Sequence, residues 1–177
     1  MRLDSFGDNP SSRCVFYREV CGLDALVQAG TGRILVQAKG VWCVRMPGVL
    51  GQSVRADMHA RRQAVGPIIS HPRSGSWSFL VRPDVSVPSA LSAQLFRVRV
   101  AVLRAGAEIA LPSPADRQPN LRYWLEPPRD RYRPSAALIL ASLARSLPAR
   151  AIDVRLLDVT DTDSNAPAPN GPALRER

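Results

Sequence analysis

The turns in the middle of this chain are too short to carry parallel crossovers, and that restricts the fold more than any other feature. Lys39-Gly40 separates the apolar runs at 33–37 and 41–46, and Ser74-Gly75 separates those at 68–71 and 77–81. A parallel pair of strands needs a connection of roughly a dozen residues or more, whereas an antiparallel pair needs only a tight turn. The β-branched and aromatic residues of these runs favour strands, and Pro47-Gly48 and Pro83 end two of them.

Helical spacing predicts a helix over 14–29, with Val15, Phe16, Val20, Leu23, Leu26 and Val27 on one face, and another over 49–65. A short helix runs from Ser89 through Leu91, Leu95 and Phe96, and a stronger one spans 134–147 with a proline at its first turn. Alternation predicts a strand at 98–102, with further strands at 108–111 and 123–125 and a final strand or extended segment at 152–159. This order predicts an α+β domain with a single mixed, mostly antiparallel sheet packed with helices. Residues 1–12 are read as a flexible lead, 13–159 as the domain, and 160–177 as a disordered tail too poor in apolar residues to offset its ordering entropy.

No apolar run approaches the length of about 18 residues that a membrane span needs, and the first residues lack the apolar stretch of a secretory signal. The expectation is a cytoplasmic protein with no membrane partner. Cys14, Cys21 and Cys43 match no zinc spacing, so they are read as reduced thiols, Cys43 as a small buried hydrophobe. No metal or cofactor is expected. The formal net charge is +9, and of the 24 Lys and Arg residues all but Lys39 are Arg. GC-rich codons account for the choice of Arg over Lys, but the excess of positive charge still points to an acidic partner.

Three blocks carry a family likeness. They are Gly40-Val41-Trp42-Cys43-Val44-Arg45-Met46-Pro47, the run Ser74-Gly75-Ser76-Trp77-Ser78-Phe79, and Ala110-Leu111-Pro112-Ser113-Pro114 followed by Tyr123-Trp124-Leu125. Together they resemble the bifunctional DNA primase/polymerase (prim-pol) domain of the archaeo-eukaryotic primase superfamily, in a short actinobacterial form. The resemblance implies a pair of metal-binding carboxylates at the positions held here by Arg45 and Pro47, and a functional His at the position held by Ser78. An arginine cannot ligate a metal and repels a second cation. The resemblance therefore implies a catalytically degenerate member, not an enzyme.

Other constellations carry less. Asp161 and Asp163 have paired-carboxylate spacing but lie in the tail, Ser70 and His71 are strand neighbours that face opposite sides, and Gly30-Thr31-Gly32 lacks the ending of a phosphate-binding loop. The function expected is binding of DNA or RNA through Arg-rich surface. The candidate contacts are Arg61, Arg62, Arg73, Arg117, Arg122, Arg129, Arg131 and Arg133, with Trp77, Tyr123 and Trp124 available to stack on bases. The alternative is a protein-interaction or regulatory module that uses the former active-site face.

Overall fold

The computed structural model describes residues 7–116, 121–149 and 151–159. The first helix, α1 (Pro10–Glu19), starts inside the segment expected to be a loose lead. Asn9 caps it by accepting from the Ser12 amide while the Ser12 hydroxyl answers the Asn9 amide, and Pro10 supplies a preset first turn. The expected helix over 14–29 is cut short. Gly22 adopts a left-handed φ of 61°, and the chain re-emerges as strand β1 (Ala25–Val27).

Strands β2 (Ile34–Gln37), β3 (Trp42–Pro47), β4 (Ile68–His71) and β5 (Ser76–Val81) fall where the sequence places them. A 3-10 turn over Pro72–Ser74 and left-handed Gly75 close the hairpin from β4 to β5. Helix α2 (Gly48–Ala60) follows β3 directly and ends earlier than expected, where Arg62 turns left-handed. After β6 (Val85–Ser86), helix α3 (Ser89–Arg97) is closed by Val98 and left-handed Arg99, so the alternating run at 98–102 is half helix cap. The strand there is β7 (Ala101–Leu103). β8 (Glu108–Leu111), β9 (Tyr123–Glu126), helix α4 (Ala136–Arg145) and β10 (Asp158–Val159) complete the order. The N-terminal end of α4 is capped by Ser135, with Asp84 accepting from the Ala136 amide.

The chain is α+β and its strands pair antiparallel throughout, but the single sheet expected is divided into three. Five strands pair in the order β7-β3-β5-β4-β9, three in the order β1-β2-β8, and β6 pairs with β10. Alternation along β3 and β5 sends side chains to two different cores. Val44, Met46, Phe79 and Val81 point into a core with α2, α3 and α4, where Val54, Met58, Leu91, Leu95, Ile139 and Leu143 close over them. Cys43 and Leu80 point the other way and pack with Ile69 against the three-stranded sheet and α1, through Ile34, Val36, Ile109, Leu111 and Tyr17. Among the described residues no helix is long and apolar enough to cross a membrane. The tail at 160–177 and Asp161 and Asp163 within it lie outside the described residues.

Candidate functional site

The two sheets part at one end of the second core, and the gap is a cleft of about 340 Å³. The register of β3 and β5 explains what lines it. Arg45 stands directly opposite Ser78, two residues beyond the pair Cys43 and Leu80, so Arg45 and Ser78 share the face that looks toward the three-stranded sheet. These are two of the three positions that the family likeness singled out, the third being Pro47. His71 is opposite Ser76 at the end of β4 and reaches the same face, where its Nε2 lies 2.9 Å from the Ser78 hydroxyl.

Among the described residues three arginines meet at this cleft, each from a different segment: Arg45 on β3, Arg73 on the 3-10 turn, and Arg122 just before β9. Arg45 is exposed and oriented by two hydroxyls, its Nε donating to Ser76 Oγ at 3.0 Å and its Nη2 to Ser74 Oγ at 3.1 Å. The Arg122 side chain is only 10% exposed. It lies 3.6 Å from Asp116 Oδ2, a separation too long for a hydrogen bond, and its buried Nε and Nη1 have no hydrogen-bond partner among the described residues. A buried guanidinium with unmet donors is costly, and an incoming anion would satisfy it. Among the described residues Glu108 is the one carboxylate lining the cleft, and it accepts from Gln37 Nε2 at 2.9 Å.

The cationic walls set the state of the other groups. Burial, with Arg45 and Arg122 nearby, pushes the His71 pKa down to about 4, so the imidazole is uncharged at neutral pH. Burial pushes the Cys43 thiol up to about 11 against smaller opposing effects of Ser78 and Arg45. Cys14, Cys21 and Cys43 are all free and buried. A neutral imidazole, two serine hydroxyls and three guanidiniums form a donor-rich surface suited to phosphate oxygens.

Of the residues expected to bind nucleic acid, Arg73 and Arg122 line this cleft. Arg117 lies outside the described residues. Trp77 is on the opposite face of the sheet, half-buried against α2, where an added Cβ on Gly51 would come within 2.6 Å of its ring. Trp124 packs on the second core and donates its indole N–H to the Tyr17 hydroxyl, so its ring is a structural element rather than a free stacking platform. Tyr123 alternates to the other side of β9 and is exposed. Arg61 and Arg62 are exposed at the end of α2, with Arg61 paired to Asp57 at 3.1 Å.

The loop after β9 separates three arginines that looked equivalent in sequence. Arg129 and Arg131 are exposed, whereas Arg133 is buried and donates to the carbonyls of Cys21, Asp130 and Tyr132. Arg133 is a strut that joins this loop to the end of α1. The residues that the expected list left out are Arg45, His71 and Ser78. The signal for Arg45 was present as a lone charge in the otherwise apolar run Trp42-Cys43-Val44-Arg45-Met46. His71 was hidden because its partner, Ser78, lies on the next strand. No protein-family model matches this chain, and no curated protein or solved structure matches it either.

Proposed function

We propose that this chain is a non-catalytic, primase/polymerase-like domain that binds single-stranded DNA or RNA, with the cleft of Arg45, Arg73 and Arg122 as its principal phosphate contact. The observation that supports this reading is the convergence, among the described residues, of three guanidiniums on one cleft, one of them buried beside Asp116 with two nitrogens that find no hydrogen-bond partner among those residues. Guanidinium pairs well with phosphate oxygens, and the chain's overall positive charge would draw a polyanion toward it. The exposed Arg61, Arg62, Arg129 and Arg131 would add attraction over longer range without fixing the strand.

The non-catalytic part rests on the same geometry. Arg45 stands where the family likeness expects a metal-binding carboxylate, and it holds positive charge against the opposite strand. The pair His71 and Ser78 has the look of a base and a nucleophile, but in the empty cleft the imidazole, with a pKa of about 4, is a weak proton acceptor at neutral pH. On this reading the domain works in the cytoplasm, where free thiols persist.

Fluorescence anisotropy with labelled oligothymidylate and oligouridylate at low salt tests the reading. Binding is expected, with R45A/R73A weakening it about tenfold or more, since hydrogen bonds to charged groups contribute roughly 1.5–3 kcal/mol each. Absence of binding by the wild-type chain would overturn the reading and favour a protein partner. Primer extension by the wild-type chain with magnesium or manganese would overturn its non-catalytic part.

A further inference from the structure

His71 is placed to do more than line the wall. Its ring is held by the Ser78 hydroxyl at 2.9 Å inside a cleft whose other charged groups come from every neighbouring segment. Arg45 and the Cys43 thiol face it from β3, Arg73 from the 3-10 turn, Arg122 from the approach to β9 with Asp116 3.6 Å away, and Glu108 from β8. Among the described residues these three guanidiniums outnumber the two carboxylates, Glu108 and the Asp116 beside Arg122, so an empty cleft adds to the burial that disfavours a positive charge on the imidazole. Burial is the larger cause of the low His71 pKa, and a phosphate acts on the rest, because a negative group between Arg45 and Arg122 replaces their repulsion with an attraction that favours the charged ring.

We propose that His71 is the ligand-sensing residue of the cleft, uncharged when the cleft is empty and, in mildly acidic solution, protonated when a phosphodiester seats against Arg45 and Arg122, so that binding there takes up a proton. The inference rests on the reading of the cleft as a phosphate site. When the anion arrives, His71 accepts a proton from solvent at its free ring nitrogen or at Nε2. In the second case the Ser78 hydroxyl changes from donor to acceptor without moving. The bound strand gains a charge-assisted contact that it lacks at higher pH. Free His71, with its pKa near 4, and bound His71 then differ most between about pH 5 and 6.

The probe is an unphosphorylated oligothymidylate, whose diesters and bases do not titrate between about pH 5 and 8. Its affinity is measured by anisotropy at pH 7.5 and 5.5 in wild type, His71→Gln and His59→Gln, and the His71 ring is titrated by NMR in free and saturated wild-type protein. The bound midpoint is expected to rise by about two units, as an opposite charge within a few ångströms produces, which tightens binding about fourfold between the two pH values. His71→Gln should show no pH dependence, whatever its affinity at pH 7.5, and His59→Gln should keep the wild-type pH dependence. Wild-type binding with a flat pH profile and an unmoved midpoint overturns the inference and leaves the cleft reading intact. No binding at either pH in low salt overturns the cleft reading and the inference with it. Should His71→Gln fail to fold, the wild-type NMR midpoints decide.

Discussion

Trp124 donates its indole N–H to the hydroxyl of Tyr17 at 2.8 Å, and the Tyr17 hydroxyl donates to the Pro112 carbonyl at 2.8 Å. The chain of bonds ties β9 to α1 and to the loop after β8, inside the second core. Tyr17→Phe leaves a buried indole N–H and a carbonyl unpaired, which should cost about 1–3 kcal/mol. Thermal melts should show this loss while oligonucleotide affinity stays at the wild-type value. Weakened binding with an unchanged melt would return Trp124 to the binding surface.

Arg133 and its neighbours should separate in the same way. Arg133→Ala removes three bonds to backbone carbonyls from a buried position and should lower stability by about 2–4 kcal/mol. Arg129→Ala, at an exposed site, should stay within about 0.5 kcal/mol. Urea unfolding of the two variants checks the contrast. Equal midpoints would mean that Arg133 is solvated in solution.

The absence of a side chain at Gly51 is what lets Trp77 lie against α2. An alanine there would place Cβ 2.6 Å from Cε3 of the indole, so Gly51→Ala should force the ring to shift and destabilise the protein by about 1–3 kcal/mol despite alanine's better helix propensity. Trp77 fluorescence should shift with it. A stabilised variant would place the ring elsewhere.

Strands β2 to β5 were legible because apolar runs, Gly and Pro punctuation and tight turns all agree there. The start of α1 was not, although Asn9, Pro10 and Ser12 form a recognisable cap, because the polar composition before Arg13 reads as a loose lead. The split into separate sheets escaped a local reading, since β2 finds β8 rather than the nearer β3 as its partner, a choice made by long-range packing. The cleft was half legible: Arg73 and Arg122 were candidates by charge, but their meeting with Arg45 and His71 depends on register across three strands. Charge alone also could not tell buried Arg133 from exposed Arg129.

Acid should destabilise the protein through His71 before it does so through carboxylates. The folded His71 pKa is pushed from the ordinary 6.5 down to about 4, so between those values the unfolded chain binds a proton that the folded chain refuses. The stabilisation is complete above pH 6.5 and is lost as the pH falls toward 4. Asp57 is shifted the opposite way in origin, held well below the ordinary carboxylate range mainly by Arg145 and Ser142, and its contribution is lost only below about pH 4. Melting temperature should therefore fall between pH 6.5 and 4 in wild type and fall less in His71→Gln. Parallel profiles would contradict the half-buried, neutral imidazole.

The salt dependence of strand binding tests the cleft most directly. Each neutralised phosphate of a single strand contributes about −0.7 to the slope of log affinity against log salt. The measurement compares wild type, R45A/R73A/R122A and the control R61A/R62A/R129A on oligothymidylate from about 20 to 200 mM salt, a range over which electrostatic binding falls sharply. The cleft variant should lose about 2 units of slope together with most of its low-salt affinity, while the control keeps the wild-type slope within about one unit. A control that loses the slope while the cleft variant retains it would contradict the account and move the nucleic-acid contact to the far side of the sheet.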